Sequence, residues 1–197
     1  PETAEAVKYV SNAFLAMKIT FINELSELFE KTGINIVDVA RGMGMDGRIG
    51  SKFLNPGPGY GGSCFPKDTR ALAKISRNYD VTLSLVEATI AANEKQKNRM
   101  VEKIQKAMGS LQGKTVAVLG LAFKPETDDM RESPALTIIP ELVNRGATIK
   151  AYDPKAIDEA EWRLEGIPNL KLVDSPYEAA SGAHALVILT EWNQFRS

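Results

Sequence analysis

Over much of the first hundred residues, apolar side chains recur with the period of an α-helix. Apolar side chains recur at steps of three and four over residues 3–31, which predicts one long helix. Gly33 stands where the residue after a helix C-terminus is expected. Such a long apolar stripe predicts a partner helix, from this chain or a second copy. The stripe is formed by Val7, Val10, Phe14, Met17, Phe21, Leu25 and Leu28.

Three further helices are predicted in this half of the chain, over residues 36–43, 69–78 and 83–108. Asp68 precedes the second of these and is the residue type expected at its N-cap. A loop rich in glycine and proline fills residues 46–66, and a loop of this length in a compact domain is usually functional or disordered. The apolar face of the last helix is formed by Leu85, Ala88, Ile90, Ala91, Met100, Val101 and Ile104.

The second half changes to short β-branched runs that alternate with helical patterns. Strand–helix–strand alternation at this spacing predicts a doubly wound parallel sheet, so the fold class is α plus α/β: a helical domain followed by a Rossmann-like domain. Ser133 is predicted as the N-cap of the first helix, with Pro134 in its first turn. The predicted strands are 114–123, 147–154, 170–175 and 183–190, and the helices are 132–146 and 175–182.

Composition narrows the class of protein. The net charge of −1 gives no attraction to nucleic acid or to acidic membranes, and no apolar run approaches the ~20 residues of a membrane span. One cysteine cannot form an internal disulfide, which favours a reducing, cytoplasmic setting, and one cysteine with one histidine argues against a zinc site. The chain begins at a helix without methionine and ends just after an apolar run, so we expect a fragment of a longer protein.

The segment "NPGPGYGGSCFPKD" places the one cysteine between a glycine-rich loop and a predicted helix. A helix N-terminus and the nearby cation of Lys67 both favour the thiolate of Cys64. The alternative is an inert buried thiol, the commonest state of a free cysteine. Asp68 could be a helix cap, a catalytic base or both, and the glycines could simply form turns or admit a ligand to the backbone.

Weaker candidates lie elsewhere in the chain. Lys8 and Asn12 are four residues apart and share one helix face, although a surface pair explains them equally well. Lys124 and Arg131 follow the first predicted strand and could bind phosphate, but that loop lacks G-x-G-x-x-G. Asp153 ends the second strand, where a Rossmann unit carries its ribose-binding acid.

Taken together, these motifs resemble the UDP-glucose/GDP-mannose dehydrogenase family. The resemblance rests on "KYVSNAFLAMKITFINE", "GRIGSKFLNPGPGYGG", "GYGGSCFPKD", "VLGLAFKPETDDMRESPAL" and "YDP", in that order over essentially the whole chain. Family members also carry an N-terminal NAD-binding domain and a further C-terminal segment, and the chain has neither. The resemblance therefore implies a central helical dimerisation domain over 1–92, a linking helix over 93–110 and a truncated UDP-binding domain over 111–197. It also implies that this fragment alone is inactive.

The function that the resemblance implies is an NAD-dependent, four-electron oxidation of UDP-glucose to UDP-glucuronate. Cys64 would capture the aldehyde as a thiohemiacetal that is oxidised to a thioester, Asp68 would be the base, and Lys8 and Asn12 would flank the reacting oxygen. Arg48 would reach the sugar nucleotide from a second subunit, and Lys67 and Arg131 would contact NAD, with no metal involved. The remaining substrate contacts would be Phe53, Leu54, Asn55, Pro56, Gly57, Tyr60, Gly61, Phe123 and Lys124.

Other assignments remain open. Phe65 favours UDP-glucose, since relatives that oxidise GDP-mannose tend to have leucine there, but GDP-mannose and UDP-N-acetyl sugars stay as alternative substrates. The β-hydroxyacid dehydrogenases also place a lysine and an asparagine four apart on a long helix, although they lack the cysteine loop. A non-catalytic dimeric nucleotide-binding module, with Cys64 as a redox sensor or spectator, is the alternative of another class. We expect a homodimer through the N-terminal helix and neither nucleic acid nor membrane as a partner.

Overall fold

The computed structural model describes residues 2–196 and forms two compact units, Pro1–Gln96 and Lys97–Ser197. The predicted helices of the first half are confirmed, apart from the start of the third. The predicted division at 92 and 110 stays a prediction. The helices are α1 (Glu2–Thr32), α2 (Ile36–Gly44), α3 (Phe65–Arg77) and α4 (Ser84–Met108), the last of which continues into the second unit.

The start of α3 corrects the prediction that Asp68 is an N-cap. The helix begins at Phe65 with Cys64 at the N-cap position, so Asp68 lies in the first turn and its backbone N–H donates to the carbonyl of Cys64 at 2.8 Å. Pro66 fits the first turn because its missing N–H would have no partner inside the helix. This shift of one helical turn leaves the carboxyl group of Asp68 fully buried.

Helix α1 packs against α2 and α3, but not through its apolar stripe. Val7, Phe14 and Phe21 remain 49–60% exposed. The buried side chains of α1 are small or polar apart from one isoleucine, and they are Ala13, Ala16, Thr20, Ile22, Asn23 and Ser26. The partner helix that the stripe predicts therefore stays a prediction.

The predicted apolar face of α4 is wrong over the first half of the helix. Leu85 is 72% exposed, and the buried positions there are Thr89, Asn93 and Gln96. The face becomes apolar and buried only from Val101 onward, within the core of the second unit. Asn93 and Gln96 bind a loop, as described below, whereas the hydroxyl of Thr89 donates to the carbonyl of Leu85 within α4.

The described part of the second unit contains four strands, three helices after α4 and a 3-10 helix, and they are β1 (Thr115–Leu119), α5 (Ala135–Asn144), β2 (Thr148–Tyr152), α6 (Ile157–Arg163), β3 (Leu170–Leu172), α7 (Pro176–Ala180), β4 (Ala185–Ile188) and the 3-10 helix (Asn193–Arg196). The strands form one wholly parallel sheet with the order β3-β2-β1-β4. Val116 and Val118 of β1 lie in the main core, and Ala117 and Leu119 pack in a second cluster. Since α5 contributes to the first cluster and α7 to the second, helices cover both faces and the doubly wound fold is confirmed.

Two details of this unit differ from the sequence pattern. Helix α6 was not predicted, and α5 begins at Ala135 rather than after a cap at Ser133. The hydroxyl of Ser133 donates to the carbonyl of Leu121 at 2.7 Å and accepts from the N–H of Ala135 at 3.2 Å. Ser133 therefore joins the loop after β1 to the start of α5.

Candidate active site

The buried carboxyl group of Asp68 is the centre of the candidate site. Asn12 Nδ2 donates to Asp68 Oδ2 at 2.6 Å, and Lys67 Nζ lies 2.6 Å from Asp68 Oδ1. Asn12 comes from α1 and the other two residues from α3, so the packing of these helices joins positions 56 residues apart. A buried carboxyl group with two charge-assisted contacts is held in one orientation.

These contacts keep Asp68 ionised. Burial acts to raise the pKa of Asp68, but hydrogen bonds from Lys67 and Asn12 and the positive charges of Lys67 and Lys8 outweigh it, so the pKa lies below its ordinary value. The hydrogen bond to Asp68 in turn raises the pKa of Lys67. Lys8, one turn before Asn12 on α1, is therefore part of the same electrostatic cluster.

Cys64 is exposed at the N-terminal end of α3, one helical turn from Asp68. Its Sγ lies 3.7 Å from Ser63 Oγ. A negative charge on Cys64 would contribute to the raised pKa of Lys67, so the thiol and the ammonium group share one environment. An inert buried thiol does not describe this residue.

Tyr9 also belongs to this cluster, although a tyrosine at this position has no evident chemical role in the sequence. The ammonium group of Lys67 lies 5.8 Å from the centroid of its ring, within the range of a cation–π contact. Its hydroxyl donates to Glu5 at 3.0 Å, and this hydrogen bond raises the pKa of Tyr9. The available sequence signal for Tyr9 was that it directly follows Lys8 on α1.

The predicted substrate loop runs from Phe53 to Gly61 and lies beside the start of α3. The rings of Phe53 and Tyr60 lie 6.0 and 6.1 Å from that of Phe65, the residue that follows Cys64. Phe53 has φ +64, which is a strained conformation for a bulky residue. Leu54, Tyr60 and Gly61 are buried, Pro56 and Gly57 are half-buried, and Asn55 is exposed.

Buried amide side chains hold this loop, and motif reading missed all of them. Asn23 on α1 accepts from the N–H of Gly57, Gln96 on α4 donates to the carbonyl of Gly57, and Asn93 binds both peptide groups of Tyr60. Thr89, Asn93 and Gln96 recur at helical spacing, so they share one face of α4. A polar face of this kind is typical of a solvent-exposed helix surface, so the spacing carried no signal that these side chains are buried.

Arg48 makes no hydrogen bond or ion pair with Cys64, Asn12 or Asp68 among residues 2–196. Its Nε and Nη2 bind the carboxylate of Asp46 at 2.5–3.2 Å, which raises the pKa of Arg48, and its side chain is 90% exposed. The loop that carries it is tied to α1 by Lys18 Nζ, which donates to the carbonyls of Ile49 and Gly50 at 2.9 and 3.3 Å.

The other predicted contacts belong to the second unit. Phe123, Lys124 and Arg131 lie in the connection from β1 to α5, beyond the carboxyl end of β1 where ligands of such sheets bind. Lys124 is exposed, with Nζ 5.4 Å from the Phe123 ring centroid. The guanidinium of Arg131 donates to both carboxylate oxygens of Asp129 at 2.8–3.1 Å. These hydrogen bonds lower the pKa of Asp129.

Asp153 is not placed to bind ribose, which corrects the prediction. Its side chain is 1% exposed, and its oxygens accept hydrogen bonds from backbone amides and from the indole of Trp192 at 2.6–3.2 Å. With both oxygens occupied, this carboxylate joins the ends of β1 and β2 to the segment after β4. The backbone donors are Leu121, Ala122, Lys155 and Ala156.

No group of three or more histidine, cysteine, aspartate or glutamate side chains among residues 2–196 is arranged to hold a metal ion. Within the same residues, no helix combines the length and apolarity needed to cross a membrane.

Comparison with known proteins accounts for both units. The model of the UDP-glucose/GDP-mannose dehydrogenase family, central domain, matches residues 2–95, and that of the UDP binding domain matches residues 117–197. A UDP-glucose 6-dehydrogenase of Rhizobium meliloti is 56% identical over 196 residues, 99% of this chain and 44% of that protein. UDP-glucose 6-dehydrogenase TuaD of Bacillus subtilis is 48% identical over 99% of this chain and 42% of its own length.

Solved structures give the same result. A UDP-glucose dehydrogenase from Pyrobaculum islandicum superposes with a TM-score of 0.95 at 37% identity, over 100% of this chain and 45% of that one. A UDP-N-acetyl-mannosamine-type dehydrogenase from Pyrococcus horikoshii superposes with a TM-score of 0.81 at 30% identity, over 99% and 43%. The chain thus spans somewhat under half the length of these relatives. Since the two family models follow each other in order along nearly all of it, the chain belongs to the UDP-glucose/GDP-mannose dehydrogenase family.

Proposed function

We propose that this chain is the central and UDP-binding part of an enzyme that oxidises UDP-glucose to UDP-glucuronate with two equivalents of NAD+. The observation that carries the proposal is the juxtaposition of an exposed thiol, Cys64, with a buried ionised carboxylate, Asp68, one helical turn away. The names of the relatives support UDP-glucose as the substrate. A four-electron oxidation needs both groups, because an alcohol and then an aldehyde must be oxidised without release of the aldehyde.

The first oxidation removes a proton and a hydride from the C6 alcohol. Asp68 has a lowered pKa, so it stays ionised at neutral pH and acts best by orienting a water that receives the proton and passes it to solvent. The ammonium group of Lys8 stabilises the negative charge that develops on the oxygen. Asn12 fixes the carboxylate through its 2.6 Å hydrogen bond.

The second oxidation proceeds on the enzyme. The sulfur of Cys64 adds to the aldehyde carbon and the carbonyl oxygen takes up a proton, which gives a thiohemiacetal. Loss of a hydride and a proton converts this adduct into a thioester. Water then attacks the thioester carbon, the C–S bond breaks, and the carboxylate product leaves with the thiol restored. An exposed thiol at a helix N-terminus suits this role, since the helix dipole stabilises the departing thiolate.

NAD+ accepts the two hydrides when it is bound. The residues present fit peripheral contacts to it, because Lys67 and Arg131 expose 60% and 57% of their side chains and carry charges that suit a pyrophosphate. The loop after β1 has no G-x-G-x-x-G fingerprint, so the main dinucleotide contacts are not expected from this unit.

Substrate binding in the first unit is assigned to the loop from Phe53 to Gly61. In the second unit, Phe123 and Lys124 are assigned as separate contacts to the nucleotide. Arg48 is assigned to the site of a second copy of the chain, which agrees with its exposure and with the absence of a bond to Asp68 among the described residues. The uncovered apolar stripe of α1 supports a homodimer, since patches of this kind mark interfaces.

The test is turnover of the full-length protein with a panel of sugar nucleotides. We expect the highest kcat/KM with UDP-glucose, and two NADH for each UDP-glucose consumed. GDP-mannose and UDP-N-acetylmannosamine are the matched competitors, because the family includes enzymes for both types of substrate. A higher kcat/KM with either competitor would show that UDP-glucose is not the preferred substrate. If none of the sugar nucleotides gave NADH, the protein would instead be a non-catalytic nucleotide-binding module.

A further inference from the structure

We propose that Asn23, Asn93 and Gln96 are positioning residues that hold the glycine-rich loop in the conformation that binds the sugar nucleotide. The proposal rests on the proposed function, because it assigns the substrate to this loop. Asn23 lies within the α1 segment quoted for the family resemblance, whereas Asn93 and Gln96 lie outside the quoted motifs. Each lies on a helix and is almost completely buried, at 1%, 2% and 7% exposure.

At Gly57, two helices each bind one side of the backbone. The N–H of Gly57 donates to Asn23 Oδ1 at 2.8 Å, and Gln96 Nε2 donates to the carbonyl of Gly57 at 2.7 Å. An added Cβ at Gly57 would meet no atom within 4 Å, so no neighbouring group packs over this side of its Cα. The two amides are the side chains that bind its peptide groups.

At Tyr60, one side chain binds both peptide groups. The N–H of Tyr60 donates to Asn93 Oδ1 at 2.8 Å, and Asn93 Nδ2 donates to the carbonyl of Tyr60 at 3.1 Å. The primary amide thus pairs with the backbone as a neighbouring β-strand would. This matters because residues 54–61 form no helix or strand, and their buried peptide groups must be paired by other means.

The held loop in turn lies against the catalytic end of α3. The ring of Tyr60 packs edge-on against Phe65 at 6.1 Å, and Phe65 directly follows Cys64. A loop with four glycines among residues 57–62 has many alternative conformations. Restricting it before the substrate arrives increases affinity, because less conformational entropy is lost on binding.

The sharpest variant is Asn93→Asp, which keeps the shape and the acceptor for the N–H of Tyr60. It replaces the donor by an oxygen that faces the carbonyl of Tyr60. Gln96→Glu makes the same change toward Gly57 and serves as a second variant if the first does not fold. Thr20→Val is the matched control, because Thr20 is a buried polar residue of α1 whose hydroxyl donates to the carbonyl of Ala16 within the same helix.

The experiment measures UDP-glucose binding by calorimetry and backbone hydrogen exchange in the full-length protein. We expect Asn93→Asp and Gln96→Glu to weaken UDP-glucose binding about tenfold or more, the loss expected for a broken buried hydrogen bond and a misplaced loop. The amides of Gly57 and Tyr60 should exchange at least about tenfold faster. Thr20→Val should change neither quantity, and the affinity for NAD+ should change less than twofold in all three.

Unchanged UDP-glucose affinity and unchanged loop exchange in both acidic variants would overturn the proposal, even if their melting temperatures fell. Faster exchange without loss of affinity would also overturn it, because the loop would then be held without serving the ligand. Failure of the proposed function can be distinguished from failure of the loop proposal. If the parent protein binds UDP-glucose without forming NADH, the proposed reaction is refuted, but the binding measurements still test the role of the loop. A parent that does not bind UDP-glucose overturns both.

Discussion

Replacing Asn12 with leucine removes the neutral donor that holds the buried carboxylate of Asp68. The bond is 2.6 Å long and the carboxylate is fully buried, so solvent does not supply a replacement. Hydrogen bonds to charged groups contribute about 1.5–3 kcal/mol, and loss of one leaves a buried acceptor partly unsatisfied. Because Lys67 still contacts the other oxygen, we expect the free energy of unfolding at pH 7 to fall by about 2 kcal/mol.

The effect of this substitution depends on pH in a defined direction. Burial acts to raise the pKa of Asp68, but the hydrogen bonds from Lys67 and Asn12 lower it by a larger amount. The pKa of Asp68 in the folded protein therefore lies below the ordinary value. Such a carboxyl group stabilises the fold above its unfolded pKa of about 3.9, and this stabilisation is lost as the pH falls through the folded pKa. The difference between the parent and Asn12→Leu should therefore be largest above about pH 5 and shrink below about pH 4.

The assay is urea unfolding followed by circular dichroism, because both tryptophans lie in the second unit and would not report on α1. Lys74→Leu is the control, because Lys74 is an exposed residue of α3 and lies outside the apolar stripe of α1. Surface changes of this kind alter stability by about 0.5 kcal/mol or less. A loss below about 0.5 kcal/mol for Asn12→Leu at pH 7, or an equal loss at pH 7 and pH 3, would refute the reasoning.

Other substitutions test the steric clash at Gly120 and the effect of Lys67 on the pKa of Asp68. Gly120 has φ +86, and an added Cβ would lie 2.6 Å from Thr190 Cβ, so Gly120→Ala should destabilise the second unit by about 2–5 kcal/mol. Gly109 has φ +74 but open space around an added Cβ, so Gly109→Ala should lower the free energy of unfolding by only about 1–2 kcal/mol. Unfolding of both variants is followed by tryptophan fluorescence, and equal losses of stability would contradict the steric clash at Gly120. Lys67→Met removes a hydrogen bond that lowers the pKa of Asp68, so at saturating NAD+ the acidic limb of the kcat profile should move to higher pH. An unmoved limb would show that the profile reports another group.

The elements of the fold were predictable where the pattern is long or strongly apolar. Helix α1 and the strand β1 follow from periodicity and β-branched content, whereas α6 has only seven residues and too few apolar positions to be recognised. The start of α3 was misplaced because an aspartate before "TRALAK" resembles a cap, although Pro66 is equally suited to a first turn.

From local sequence patterns, without the family resemblance, the candidate site was predictable only where its residues are neighbours in sequence. Cys64, Lys67 and Asp68 share one segment, so their proximity needs no tertiary structure. The pairing of Asn12 with Asp68 depends on how α1 packs on α3, and local spacing carries no information about that packing. Asp153 shows the reverse case: its position at a strand end suggested a ligand, but backbone amides from several segments occupy its oxygens.

The thioester route through Cys64 is the central claim, and the most direct test is the number of NADH formed per UDP-glucose consumed by the full-length protein and its Cys64→Ala variant. We predict two NADH per sugar in the parent, no turnover in Cys64→Ala, and near-normal turnover in Ser63→Ala, which keeps the thiol and removes its closest hydroxyl neighbour. One NADH per sugar in the parent, or an alanine variant as fast as the parent, would contradict the route through Cys64.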